Sequence, residues 1–231
     1  MNPPSPKSII ENPQAEIHRP PPGVFITFEG VEGAGKSTQC RMLADALTAR
    51  GREVLVTREP GGTPLGEELR TLVKHFQGPG GIVPEAELLM FCAARAQIVR
   101  QTLLPLLTRG GVVICDRFAD STTVYQGFAR GLDLGVIRTL QAFATAGRMP
   151  DLTFVLDLDS EAGLARTKSR GEANAHTDRF EQEGRAFHER IRAGFLALAT
   201  AEPARFRVLP AALPPGELHQ LVLAEVDKAL G

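Results

Sequence analysis

The chain has 231 residues, 43% of them hydrophobic and 23% charged, enough for one substantial core and scant for two. Its 26 basic and 27 acidic side chains nearly cancel, which argues against a general nucleic-acid coat, since such a surface needs a basic surplus facing phosphates. No run approaches the ~20 apolar residues of a membrane span, and Cys40, Cys92 and Cys115 form no CxxC pair, so neither a zinc site nor a disulfide framework is suggested and a reducing cytosol fits.

The opening segment, MNPPSPKSIIENPQAEIHRPPPG, carries Pro3, Pro4, Pro6, Pro13 and Pro20 to Pro22. Prolines deny helix and ladder hydrogen bonds, and the segment lacks the apolar core of a signal peptide. Residues 1–23 therefore read as a disordered or extended tail ahead of a single domain over 24–231. Beyond it, short β-branched runs alternate with longer amphipathic ones. Val24 to Phe28, Glu53 to Thr57, Gly111 to Cys115 and Leu152 to Asp157 read as buried strands, with Phe206 to Leu209 a weaker fifth. Helical patterns run over Lys36 to Arg50, Pro64 to His75, Pro84 to about Thr108 with a kink or break near Pro105, Leu132 to Ala146, Arg185 to Thr200 and Pro215 to Leu230. Strands separated by helices need right-handed crossovers. The expected class is α/β, a five-stranded parallel sheet sandwiched by helices, with ligands beyond the carboxyl ends of the strands.

The most specific motif stands at that place on the first strand. Gly30, Val31, Glu32, Gly33, Ala34, Gly35, Lys36 and Ser37 fit GxxxxGK[ST] between a strand and a helix, with Thr38 next, and so form a P-loop. Glycines let successive N–H groups converge on phosphate oxygens, and the helix N-terminus adds partial positive charge. Lys36 brings a point charge to the β- and γ-phosphates and Ser37 a hydroxyl ligand for Mg²⁺, so ATP and Mg²⁺ are the expected cofactors. Asp116 and Arg117 close the third strand. There the carboxylate would hold the Mg²⁺ shell and the guanidinium would fork onto a phosphate. Taken alone, Asp116 is as readily a helix cap or turn residue.

FEGVEGAGKST (Phe28 to Thr38), REPGGT (Arg58 to Thr63), LLMFCAAR (Leu88 to Arg95), DRFADSTTVYQG (Asp116 to Gly127) and the stretch Arg166 to Glu183 resemble, in order, the motifs of bacterial thymidylate kinases. The resemblance runs from about Val24 almost to the C-terminus, and departs at the proline-rich tail and at a lengthened segment around Ala173 to Thr177. It implies a P-loop nucleotide kinase fold with a mobile lid over about 166–184, transfer of the γ-phosphoryl group of ATP onto dTMP, and a homodimer, for which the apolar helices Pro84 to Thr108 and Leu132 to Ala146 offer a face.

Particular residues follow from the same resemblance. Phe91 matches the aromatic on which thymine stacks, and Arg95, one turn later, the arginine that donates to a thymine carbonyl. Ser121, Thr122, Tyr125 and Gln126 match the second wall of the monophosphate pocket, with Thr122 near the base edge and Tyr125 where a ribose 2′-hydroxyl would sit. Glu32 matches an acidic residue near the sugar 3′-hydroxyl and the metal. Arg58, Glu59 and Pro60 end the second strand where relatives meet the acceptor phosphate, with Pro60 a candidate for a cis peptide. Arg170 and Arg179 are the implied lid donors to the transferring phosphoryl group, ahead of Arg166 and Lys168. The residues themselves leave other roles open: a core position for Phe91, an ordinary aromatic for Tyr125, a solvated loop charge for Glu32 and Arg58, a trans peptide at Pro60.

The chemistry so implied is direct in-line transfer, because an acceptor phosphate already ionised at neutral pH attacks without a strong general base. The histidines His18, His75, His176, His188 and His219 show no metal spacing, and each reads as solvated or capping. A deoxynucleoside kinase or another monophosphate kinase would share the P-loop and the Asp-Arg pair. A switch GTPase would need a guanine-reading Asn-Lys-x-Asp segment, which the sequence lacks.

Overall fold

The structure is a computed structural model that describes residues 23–169, 179–180 and 182–230. Residues 1–22 of the expected tail, Arg170 and the lengthened lid segment around Ala173 to Thr177 lie outside the described residues, while Gly23 is buried and its N–H bonds the Leu107 carbonyl at 3.0 Å. Five strands form one parallel sheet in the order β2-β3-β1-β4-β5. These are β1 (Val24–Glu29), β2 (Val54–Arg58), β3 (Val112–Asp116), β4 (Leu152–Asp157) and β5 (Phe206–Pro210). The helices are α1 (Lys36–Ala49), α2 (Pro64–His75), α3 (Pro84–Ile98), α4 (Leu104–Thr108), α5 (Ala119–Thr122), α6 (Leu134–Thr145), α7 (Ser160–Ser169), α8 (Arg185–Ala201) and α9 (Pro215–Leu230).

The central strands are apolar on both faces, as crossover helices on either side require. Ile26 and Phe28 of β1, with Val112 and Ile114 of β3, pack in one cluster with Leu43 and Leu47 of α1 and Val222 and Val226 of α9. The intervening Phe25, Val113 and Cys115 pack with Ile98, Val99 and Leu103 and with Leu106 of α4. β2, expected as a buried strand, is an edge strand with Val56 exposed, because the strand order places it outermost. Cys40, Cys92 and Cys115 are buried and unbridged. The strand ends are in register, with Phe28 beside Asp116 and Asp116 beside Arg58, so the motif residues that follow them emerge along one edge.

Two segments differ from the expected helices. The interruption expected near Pro105 in the long helix from Pro84 takes the form of a π-helical stretch, Val99–Leu103, in which the Leu104 N–H reaches back to the Val99 carbonyl. Pro105 has no N–H for the carbonyl four residues earlier, and widening accommodates that loss. A second π-helical stretch, Thr123–Ala129, follows α5 and places Tyr125 and Gln126 inward; the Arg130 N–H closes onto the Tyr125 carbonyl at 2.9 Å. His188 and His219 are buried rather than solvated. Each falls on the apolar stripe of its helix, His188 with Ile191 and Phe195, His219 with Val222 and Val226.

Candidate active site

The P-loop needs its glycines for space as well as for phosphates. Gly30 has φ +132°, and a Cβ there would stand 2.5 Å from the Leu156 carbonyl. At Gly33, φ is +71° and a Cβ would stand 2.2 Å from the carbonyl of Gly163 in α7, whose own Cβ would stand 2.3 Å from the Glu32 carbonyl. P-loop and α7 thus meet backbone to backbone.

Lys36 Nζ donates to the loop's own carbonyls, Val31 at 2.8 Å and Gly30 at 3.2 Å. Burial, then the Arg117 charge, bring its pKa down to about 8 against the opposing pull of Asp116, Glu32 and Glu29. Ser37 Oγ donates to Asp116 Oδ2, so a hydroxyl and a carboxylate converge at the head of the loop. That pair of hard oxygen donors fits Mg²⁺, which takes few protein ligands and completes its shell with phosphate and water oxygens.

Beside this head lies a pocket walled by Glu32, Pro60, Phe91, Arg95, Arg117 and Tyr125, with Ser121, Thr122 and Gln126 also lining it. Arg117, at φ +70°, turns its side chain inward: Nη2 donates to Glu32 Oε1 at 3.0 Å, Nη1 to Ser121 Oγ at 3.2 Å, and the guanidinium covers the Tyr125 ring at 5.1 Å. Tyr125 donates its hydroxyl to the same Glu32 oxygen at 2.7 Å. Burial pushes the Glu32 carboxyl up, but Arg117, Lys36 and the Tyr125 bond outweigh it and hold the group below its ordinary value.

Arg95 is 1% exposed and Glu59 3%, paired through Glu59 Oε2 to Arg95 Nε at 2.8 Å and to Nη2 at 2.7 Å. Burial lifts the Glu59 pKa against the pull of Arg95. The Glu59–Pro60 peptide is cis. Phe91 faces Phe180 across the pocket, ring centres 6.1 Å apart. Among the described residues, Glu32 Oε2, Glu59 Oε1, Arg95 Nη1 and Thr122 Oγ1 are buried with no hydrogen-bond partner, and all four residues line this pocket. Orphaned buried groups gathered at one cavity mark the place where a polar ligand completes the hydrogen bonding.

Two expected residues stand elsewhere. Arg58 pairs with Glu67 at 2.9 Å on the exposed side of β2 and does not line the pocket. Arg179 is engaged by Glu87 of α3, donates through Nε to the Val73 carbonyl at 3.1 Å and covers Phe180. Gln126 lines the pocket with its amide nitrogen given to the same Glu87, at 2.8 Å.

These P-loop, Asp-Arg and pocket features coincide with a family match: residues 28–222 fit the model described as Thymidylate kinase. The chain belongs to the thymidylate kinase family. A thymidylate kinase of Solidesulfovibrio magneticus is 49% identical over 210 residues, covering 90% of this chain and 100% of that one. One of Deinococcus radiodurans is 50% identical over 206 residues, covering 89% and 97%. The crystal structure of thymidylate kinase from Ehrlichia chaffeensis superposes with a TM-score of 0.71 at 34% identity, over 89% of this chain and 99% of that one.

Sequence reasoning passed over several lining residues. Arg70 and Lys74 enter the pocket from α2 one helical turn apart, and Arg70 Nη1 holds the Pro60 carbonyl at 2.8 Å. Their i, i+4 basic spacing directly after REPGGT was the available signal. A second cavity, bounded by Gly33, Thr38, Arg166, Ala211, Leu213 and Pro215, lies on the other side of the P-loop, and no motif announces it.

Proposed function

We propose that the protein transfers the γ-phosphoryl group of ATP onto dTMP, giving dTDP and ADP for dTTP synthesis. The observation that carries this reading is the opening of the P-loop head, with Lys36, Ser37 and Asp116, directly onto a pocket whose buried polar atoms await a ligand.

In this reading the donor phosphates lie along the backbone of residues Gly30 to Thr38, and the donor nucleoside occupies the cavity bounded by Thr38, Arg166 and Leu213. Lys36 exchanges its carbonyl partners for phosphate oxygens. Ser37 and Asp116 would hold a Mg²⁺ ion, which would supply charge neutralisation at the transferring group. Arg117, Arg70 and Lys74 receive the acceptor phosphate. Thymine stacks on Phe91, while Arg95 Nη1 and Thr122 Oγ1 meet its edge, and the sugar lies by Glu32 and Tyr125, with Ser121 and Gln126 closing the wall. Pro60 completes the acceptor loop from the second strand, while Arg58 stays paired with Glu67 outside the pocket. Catalysis is then positioning and charge neutralisation without a covalent intermediate. Arg170 and Arg179 are the lid donors; Arg179 reaches the phosphates only by leaving Glu87.

We further place the enzyme in the cytosol as a homodimer. Val136, Leu140 and Phe143 form one stripe of α6, which packs on α3 with its exposed Leu89, and Phe143 is 76% exposed. No helix among the described residues is long and apolar enough to cross a membrane. A coupled assay with ATP, Mg²⁺ and dTMP, dUMP, dCMP, dGMP or UMP tests the reading. Turnover is expected with dTMP foremost; a better rate with UMP or with any other of these acceptors would overturn it.

A further inference from the structure

Glu29 closes β1 immediately before the P-loop, is fully buried, and touches neither pocket. Its carboxylate is nevertheless spent on the segment that presents Arg117. Oε1 accepts the Phe118 N–H at 2.8 Å, and Oε2 accepts the Ser121 hydroxyl at 2.6 Å. With its O–H directed at Glu29, Ser121 Oγ accepts a hydrogen bond from Arg117 Nη1 at 3.2 Å. Arg117 needs such a hold. It is a non-glycine residue at φ +70°, a left-handed conformation unfavourable for a residue with a side chain, which persists where surrounding bonds over-determine it. On the far side, Asp120 is turned away from Glu29 by Arg205, which takes both its oxygens at 2.7 Å. Burial and, next, the Asp120 charge still push the Glu29 carboxyl up to about 7 while Arg117 opposes them, so an expensive group is kept here.

We propose that Glu29 is a positioning residue for phosphoryl transfer, holding Arg117 on the acceptor phosphate through Ser121 Oγ and the Phe118 amide. The inference rests on the kinase reading of Arg117 and assigns Glu29 no contact with substrate. Glu29→Gln keeps the shape and one acceptor oxygen but sets an NH₂ donor where a second acceptor stood, which breaks the directed relay.

The test is a double-mutant cycle of Glu29→Gln with Arg117→Ala, read as kcat and as KM for each substrate. Glu29→Gln alone is expected to lower kcat by about 10- to 100-fold while KM for ATP stays within about twofold, and to add nothing in the Arg117→Ala background. Multiplicative losses in the double variant, or parent-like kcat in Glu29→Gln, would overturn the proposal while leaving the kinase reading intact. A parent-like Arg117→Ala enzyme would instead remove Arg117 from the reaction, and the proposal with it. If Glu29→Gln yields no folded protein, Ser121→Ala enters the same cycle, since it deletes the relay hydroxyl and nothing larger; non-additivity with Arg117→Ala supports the proposal and additivity overturns it.

Discussion

Lys36 serves two ends that pull apart as pH changes. In the folded chain its ammonium loses the proton near pH 8, whereas its unshifted value is 10.5. Between those values the unfolded state binds more protons, so this group raises stability as pH climbs through the window. Activity should run the other way. We expect kcat/KM for ATP to fall above about pH 8 in a pH–rate profile, and Lys36→Met to lose several kcal/mol of transition-state stabilisation, roughly 10²-fold or more in kcat, with the fold intact by thermal unfolding. For Arg95→Ala, KM for dTMP should rise at least about tenfold with KM for ATP nearly unchanged. Because the truncation leaves Glu59 buried without its cation, the variant should also lose about 3–5 kcal/mol of stability, seen as a lowered Tm. Equal rises in both KM values would place Arg95 away from the acceptor. At this scale the P-loop was legible because its geometry demands glycines at fixed spacing. The Arg95–Glu59 pair spans 36 residues and Glu87 gathers Gln126, Arg130 and Arg179 from two later segments, so nothing local distinguishes these carboxylates from solvated ones.

Helices and strands were legible wherever apolar periodicity persisted, which is why Pro64–His75, Leu152–Asp157 and Pro215–Leu230 match their expected bounds. The π-helical stretches were not, because one extra residue per turn leaves the apolar pattern nearly unchanged while rotating everything after it. Nor was α7, whose basic, glycine-containing sequence reads equally as lid loop or short helix. Its Gly163 gives an element-scale prediction. Alanine is the better helix former by up to ~1 kcal/mol, yet its Cβ would press on the Glu32 carbonyl. Gly163→Ala is therefore expected to raise KM for ATP several-fold through a displaced P-loop, with dTMP affinity by calorimetry little changed. A stabilised, fully active variant would show that α7 moves independently of the loop.

As a whole molecule the chain is a five-stranded parallel sheet covered by helices, and the alternation of strand and helix patterns sufficed to foresee it. A face for pairing between copies is less legible, since a sequence does not say whether an apolar helix face is covered from within. We expect Phe143→Glu to convert a dimer to monomer by sedimentation at micromolar concentration, with little change in far-UV circular dichroism. The aligned strand ends described above have a practical corollary for handling the protein. The P-loop follows the carboxyl end of β1, and β1 is six residues long, about 20 Å at the usual rise per residue, so the chain enters β1 on the side remote from the P-loop. An affinity handle, fluorophore or surface tether joined ahead of Val24 would therefore leave the mouth of the site open, whereas the same cargo inserted after β3 would block it.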